Sequence, residues 1–306
     1  MSAARVRVPA TSANLGPALD CAGLALSRYD VLEFSVVPSG LEVSVSGVGA
    51  GELPADESHL VVRAFRAACA ELGWTPPGLR VVAENAIPQG RGMGSSAAAV
   101  VAGVLGAWAL CPDVEDIDDD AVLRLATAIE GHPDNVAPCL LGGATLSWTT
   151  EEGARAVRIG VADAVSPVLF VPGSTLSTEV ARGLLPAVVP HADAAHNAAR
   201  AALLVHALGS DPSLLLEATD DRLHQRQRAA AMPDSIDLVD VLRSDGHAAV
   251  ISGAGPSVLV LAAPEENNAP ESLLHRFTPA GWSLLALEID TTGAAVLAEA
   301  PGVSSR

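Results

Sequence analysis

The sequence predicts an α+β protein of two units, and three observations carry that expectation. Hairpin-like β runs cluster beside helices rather than alternating strictly with them, which argues against a purely parallel sheet. The chain is 49% hydrophobic, drawn mostly from Ala, Val and Leu with only 3% aromatics, enough for a sizeable core and too much for disorder. Its 306 residues suffice for one large domain or two ordinary ones, and the pattern changes near residues 150–175. The expected division is therefore 1–160 and 161–306.

The elements read in order. Arg5–Pro9, Val31–Val37 and Leu41–Val48 are strands, the last alternating as Leu-Glu-Val-Ser-Val-Ser. Ser58–Gly73 is a helix with Leu60, Ala64, Ala67 and Ala68 on one face, and Leu79–Ala83 is a strand. A glycine-rich loop then leads into an uncharged helix whose small residues Ala99, Gly103 and Ala107 suit close packing on a sheet. Asp119–Glu130 is a helix capped by Asp118 to Asp120. Gly142–Trp148, Val157–Val161 and Val168–Val171 are strands. Helices cover Thr178–Leu185, Asp193–Leu208, Leu214–Arg228 and Ile236–Ser244. Ala248–Ile251 and Val258–Leu261 flank a glycine turn, and helix Glu265–Phe277 and strand Ser283–Glu288 follow.

Composition excludes several classes of function. With 36 acidic residues against 18 basic ones the formal charge is −18, a surface that repels nucleic-acid phosphates and anionic lipid. All the basic residues are Arg. Without a lysine there is no phosphate-loop lysine and no Schiff-base mechanism. Cys21, Cys69, Cys111 and Cys139 form no C-x-x-C pair, so reduced thiols in a cytoplasmic protein are expected. The start, MSAARVRVPA, lacks the apolar stretch of a signal peptide. Gly92–Pro112 is uncharged but rich in Gly, Ala and Ser, and reads as a buried helix rather than a membrane span.

Four segments carry polar groups in patterns that suit chemistry. In Pro88-Gln-Gly-Arg-Gly-Met-Gly-Ser-Ser96, Gly90, Gly92 and Gly94 permit tight turns with bare N–H groups, and Ser95 and Ser96 open a helix. A helix N-terminus behind such a loop cradles phosphate without a lysine. A plain turn into an Ala-rich helix is the alternative; the Ser-Ser pair and the small-residue stripe favour the cradle. A dinucleotide fold wants these glycines directly after a strand, whereas Asn85–Gln89 intervenes.

Glu130-Gly-His-Pro-Asp-Asn135 gathers carboxylates, an imidazole and an amide within six positions. Glu130 suits Mg²⁺, which takes one or two carboxylates plus phosphate oxygens. His132 and Asn135 could direct hydrogen bonds to a small polar substrate. A helix stop at Gly131 and Pro133 followed by a cap at Asp134 accounts for the same residues, and for Asp134 capping is the reading adopted. Pro9–Asp20 is a polar loop displaying Asn14 and Asp20, or an ordinary Asn-Leu-Gly-Pro turn. Ser252–Ser257, with Gly253, Gly255 and Pro256, shapes a hairpin or a third loop of the site.

In this order, PATSANLGPALD, PQGRGMGSSAAA and SGAGPSV resemble the three motifs of the GHMP small-molecule kinase family. EGHPDNVAPCLLGGATL, the Ser177–Pro186 segment and Asp221–Arg228 are most similar to members acting on L-homoserine, and the resemblance runs from about Val6 to Ala263. It implies a GHMP kinase fold with an N-terminal nucleotide-binding domain, a ferredoxin-like C-terminal domain and a site between them. The implied reaction is transfer from ATP to the side-chain hydroxyl of L-homoserine, on the route to threonine. The implied ATP-binding set is Pro88, Gly90, Arg91, Gly92, Met93, Gly94, Ser95 and Ser96, with Ser252, Gly253 and Gly255 as the third glycine motif. Mg²⁺ would rest on Glu130 and Ser95, with Ser96 the alternative hydroxyl.

By motif position, Asp20 and His132 would hold the substrate ammonium with Asn14 nearby, and Asn135 would orient the hydroxyl. Arg182 and Arg228 would take the carboxylate through two-donor forks, with Thr178 one turn before Arg182. Glu130, Asp20 and Asn135 form the implied catalytic set, with Asp20 the candidate should a general base be used. The cleft is expected to be locally positive from its arginines, helix N-termini and metal. A homodimer is expected from the resemblance alone.

The sequence departs from the family at four places. Ala18-Leu19-Asp20-Cys21 stands where Gly-Phe-Asp-Ser is usual, and His59 where an asparagine often contacts the nucleoside. Arg226-Gln227 replaces Pro-Tyr, and the loop from Glu130 to His132 is short. Other expectations for the same fold are a kinase for another alcohol such as L-threonine, or a ligand-binding protein without catalysis.

Overall fold

Two β sheets organise the chain in the computed structural model, which describes residues 3–263 and 275–297. The first is built on a long antiparallel pair, β1 (Ala3–Ala13) and β2 (Ala22–Val36). Their register shifts between Pro9 and Ala10, a bulge that re-aims the end of β1 toward the site. The first five residues of the expected Pro9–Asp20 loop, Pro9 to Ala13, are strand, and the turn proper is short. Asn14, Leu15 and Asp20 all have positive φ there, a conformation costly for residues other than glycine.

Strand β3 (Gly40–Gly47) runs parallel to β4 (Gly78–Asn85), and β4 pairs antiparallel with β2. The hairpin of β5 (Ala144–Thr150) and β6 (Gly153–Ile159) attaches to the first residues of β2. Four helices pack with this sheet: α1 (Leu60–Glu71), α2 (Ser95–Leu110), α3 (Asp119–Glu130) and α4 (Pro133–Leu141).

Helix α2 is the expected uncharged helix, buried along most of its length. Its small residues work differently from the expectation. A Cβ on Gly103 would lie 2.4 Å from the Val61 carbonyl of α1, so this glycine lets two helices meet. Gly106, outside the expected stripe, is the one that faces the sheet, 2.7 Å from the Phe34 ring. Among the described residues no helix is long and apolar enough to cross a membrane.

The second sheet has order β10-β7-β9-β8, with β7 (Ser166–Val171), β8 (Ala249–Ile251), β9 (Val258–Ala262) and β10 (Ser283–Ala286), all antiparallel. Helices α5 (Thr178–Gly183), α6 (His191–Gly209), α7 (Leu215–Ala218) and α8 (Pro233–Ser244) accompany it. A last strand, β11 (Ala295–Leu297), returns to pair with the outer edge of β1. No sequence signal marked it.

The expected helix Leu214–Arg228 is broken. After α7 the Asp221 carboxylate accepts the backbone N–H groups of Leu223, His224 and Gln225, which diverts them from a helical ladder. A 3₁₀ segment follows at Arg226–Ala231. Of the expected helix Glu265–Phe277, only the 3₁₀ turn His275–Phe277 lies within the described residues.

Candidate active site

Gly90, Gly92 and Gly94 all adopt positive φ, and α2 begins at Ser95 with Gly94 as its N-cap. A Cβ on Gly94 would fall 1.8 Å from Thr11 Oγ1, and one on Gly92 would fall 2.1 Å from the Ser252 carbonyl. The glycines are thus required by contact with the other two motifs as well as by backbone conformation. Ser252 Oγ donates to the Gly92 carbonyl at 2.6 Å and accepts from Ser12 Oγ at 2.8 Å. The Gly253 N–H bonds the Ala13 carbonyl at 3.1 Å. Three segments far apart in sequence meet around one loop.

Two of the expected contact residues also brace this framework. Asn14 is buried; its amide donates to the Gly253 carbonyl at 2.9 Å and its Oδ1 accepts the Asp20 N–H at 3.0 Å, so it braces the loop. Arg91 donates to the carbonyls of Pro172 at 2.9 Å, Gly173 at 2.7 Å and Gln89 at 3.0 Å. Its guanidinium ties the glycine loop to the end of β7 through three of its five N–H donors. Met93 has its side chain in the core, while its carbonyl accepts from Thr11 N–H at 3.1 Å.

A cavity of about 90 Å³ opens in front of the loop. Pro88, Gly90, Gly92 to Ser96, Glu130, His132, Asn135, Thr178, Arg182, Arg228 and Gly253 all line it, with Asn14 and Asp134. Ser96 Oγ donates to Glu130 Oε2 at 2.7 Å, which makes Ser96 rather than Ser95 the hydroxyl beside the carboxylate. Burial pushes the Glu130 carboxyl up, a shift opposed by the Ser96 hydrogen bond and His132.

Asp134 does not cap the following helix. That N-cap is His132, and Asp134 Oδ1 instead lies 2.6 Å from His132 Nδ1. Burial opposes the charged imidazole, but the hydrogen bond and charge of Asp134 outweigh it and raise the His132 pKa. Asn135 Oδ1 accepts from Thr11 Oγ1 at 2.7 Å, which leaves its NH₂ for the cavity. Thr11 and Asp134 both lay within motifs already singled out, but nothing in those motifs distinguished their side chains as functional.

The two ends expected for an amino acid meet each other. Arg182 Nη2 lies 2.6 Å from Asp20 Oδ1 and Nη1 lies 3.2 Å from Oδ2, a two-point pair that raises the guanidinium pKa. Arg228 is 1% exposed, and burial with the nearby Arg182 charge lowers its pKa. Its Nε donates to the Ala181 carbonyl and its Nη1 to the Gly253 carbonyl, both at 3.3 Å, so it offers the cavity one nitrogen, not a fork. Of the ionisable side chains lining the cavity, Glu130 and Asp134 stand with Arg182, Arg228 and His132, and Arg182 is already paired with Asp20. The loop N–H groups and the start of α2 add the partial positive charge of a helix N-terminus.

Beside the loop lies a second, larger cavity of about 340 Å³, lined by Leu32, Leu53, Pro54, Leu60, Val61 and Ala99 among others. His59 lines it, is 4% exposed, and has no hydrogen-bond partner on either ring nitrogen among the described residues. Among the described residues no cluster of three His, Cys, Asp or Glu side chains suits a metal.

A lysine-free glycine loop at a helix N-terminus, a carboxylate hydrogen-bonded to a serine beside it, and a small polar cavity in front of both define a small-molecule phosphotransferase. The chain matches the model of the GHMP kinases N terminal domain over residues 59–143 and that of the GHMP kinases C terminal over 192–278. It is 54% identical to homoserine kinase of Streptomyces avermitilis, over 97% of this chain and 96% of that one. It is 51% identical to homoserine kinase of Clavibacter michiganensis, over 95% and 93%. The crystal structure of homoserine kinase from Cytophaga hutchinsonii superposes with a TM-score of 0.84 at 25% identity, covering 97% of this chain and 98% of that one. That of L. major mevalonate kinase shares the fold, with a TM-score of 0.65 at 17% identity over 94% and 96%. The chain belongs to the GHMP kinase family, among its homoserine kinases.

Proposed function

We propose that this protein transfers the γ-phosphoryl group of ATP to the side-chain hydroxyl of L-homoserine, giving O-phospho-L-homoserine and ADP for threonine synthesis. The observation that carries the reading is the single small cavity where Glu130, His132, Asn135, Thr178, Arg182 and Arg228 converge on the glycine loop. ATP phosphates rest on the N–H groups of Gly90–Ser96, and the nucleoside occupies the apolar cavity, where His59 supplies hydrogen bonds to the base. The substrate carboxylate takes Arg182 and one nitrogen of Arg228, with Thr178 beside them. Its ammonium lies between Asp20 and the bare Nε2 of neutral His132, whose Nδ1–H the Asp134 carboxylate accepts.

A divalent ion fits this donor set. Mg²⁺ takes most of its ligands from phosphate and water, and Glu130 with Ser96 supplies the carboxylate and hydroxyl such a site needs. When bound it neutralises charge building on the phosphate oxygens. The remaining work is positioning: the Asn135 NH₂, aimed by Thr11, holds the acceptor oxygen in line with the γ-phosphorus. The new O–P bond forms as the bond to the β-phosphate oxygen breaks, and the hydroxyl proton leaves to solvent. Asp20, with both oxygens on Arg182, serves binding rather than proton removal.

We place the division of the chain at 160/161, with β11 crossing back to the first sheet, and expect a cytoplasmic homodimer on the family resemblance. Phosphorus NMR of the product tests the reaction: a phosphomonoester on the homoserine side-chain oxygen is expected. Inorganic phosphate with unchanged homoserine would overturn it.

A further inference from the structure

Behind Arg228, out of reach of any substrate, lies an imidazole that none of the preceding chemistry uses. His224 is fully buried, its Nδ1 3.2 Å from Arg228 Nη1 and its Nε2 2.7 Å from the carbonyl oxygen of Gly16. Asp221 Oδ2 is a further 3.7 Å neighbour of Nε2. A carbonyl and a carboxylate only accept, so the ring proton must sit on Nε2. A guanidinium only donates, so Nδ1 must be bare. Both ends of the ring demand the same neutral tautomer.

We propose that His224 is a positioning residue for the acceptor: held as its Nε2–H tautomer by Gly16, it offers Nδ1 to Arg228 and fixes which guanidinium nitrogen faces the substrate carboxylate. This rests on the reading of Arg228 given above. With the Ala181 and Gly253 carbonyls, His224 occupies Nε and Nη1 and leaves Nη2 for the cavity that Arg228 lines. Burial keeps the imidazole neutral, lowering its pKa against the pull of Asp221. An imidazolium would set N–H against N–H and charge against charge at Arg228.

The partner that sets the tautomer is not incidental. Gly16 belongs to the turn that carries Asn14 and Asp20, and its φ is +89°. A Cβ there would fall 2.5 Å from the Thr219 carbonyl, so the glycine is what lets this turn approach the His224 segment. The loop that presents Asp20 to the ammonium thereby also aims the arginine for the carboxylate. The two ends of the amino acid are registered against each other through one imidazole.

Two substitutions separate the two ends of the ring. His224→Asn places an amide oxygen near the Nδ1 position and keeps an acceptor for Arg228, while losing the donor to Gly16. His224→Gln reaches Gly16 with its amide NH₂ and loses the acceptor. The KM for homoserine should rise about tenfold in Gln, the loss of one hydrogen bond to a charged group, and less than about threefold in Asn. The KM for ATP should stay within about twofold of wild type in both. A merely structural histidine would give equal losses in both variants, tracking their melting temperatures, and would overturn the proposal.

Arg228→Ala distinguishes the two readings. If it leaves the homoserine KM unchanged, Arg228 does not bind the carboxylate and the underlying reading fails. If it raises that KM while His224→Gln does not, only the positioning role fails. In the Arg228→Ala background, His224→Gln should add nothing. For the wild-type protein, ¹⁵N-histidine NMR should show His224 protonated on Nε2 and bare on Nδ1 at neutral pH. The opposite tautomer would refute the proposal even if no variant folds.

Discussion

Arg182 is where substrate identity makes its sharpest demand on the structure. Its guanidinium is paired at two points with Asp20, 2.6 and 3.2 Å apart, and the two side chains are 35% and 41% exposed. Such a partly solvated pair is worth about 0–1 kcal/mol on its own, so an incoming carboxylate and ammonium can divide it between them. A hydrogen bond to a charged group is worth about 1.5–3 kcal/mol, and the exposure places each bond here at the low end of that range. Arg182→Lys keeps the charge but not the fork, and with about 1.4 kcal/mol per decade should raise the KM for homoserine about tenfold. Arg182→Ala removes both bonds and should raise it about a hundredfold. A coupled ADP-release assay with homoserine varied at saturating ATP measures both, and the KM for ATP should move little. An amino alcohol lacking the carboxyl group should be a poor substrate for wild type, and Arg182→Ala should narrow its disadvantage. Equal homoserine constants in all three proteins would reduce Arg182 to a surface partner of Asp20 and leave the carboxylate unassigned.

Three further outcomes are expected. Glu130→Gln removes the one carboxylate beside Ser96 and should cut turnover about a hundredfold or more, with homoserine affinity near wild type; normal rate and normal Mg²⁺ dependence would leave Glu130 a helix terminus only. Gly94→Val meets Thr11 Oγ1 and a φ of +69°, so it should lower both ATP affinity and melting temperature; a variant unchanged in both would remove the loop from the site. Burial lowers the pKa of His59 below 6.5, against the pull of Asp56, so the unfolded chain binds the proton more readily than the folded one. Stability should therefore fall as pH drops through 6.5 and level off below the folded value, and His59→Asn should reduce that slope; an unaltered slope in equilibrium unfolding would contradict the burial of His59.

Much of this was legible from local sequence signals. Positive-φ glycines at 90, 92 and 94, the Asp118 cap and the helix beginning at Ser95 follow from rules that act within a few residues. What escaped depends on long-range contact. Nothing near Arg91 in sequence announces the Pro172 and Gly173 carbonyls that hold its guanidinium, nor does Asn14 reveal its bond to Gly253. The caps at residues 132–134 went wrong because Asp134 has two local options, and its hydrogen bond to His132 won over capping. The helix expected through residue 228 failed for a related reason, since Asp221 takes the N–H groups that a continuing helix would need. Strand β11 is too short for a periodic signal and is held by its edge pairing with β1.

The central claim, that this site phosphorylates L-homoserine, is tested most directly by kcat/KM for ADP release across homoserine, threonine, serine and mevalonate with the intact protein. Homoserine should be preferred, because its carboxylate, ammonium and terminal hydroxyl together match Arg182 with Arg228, Asp20 with His132, and Asn135 beside the glycine loop. Mevalonate, which has no ammonium for Asp20, should not turn over measurably. Efficient turnover of mevalonate or threonine with none of homoserine would contradict the account.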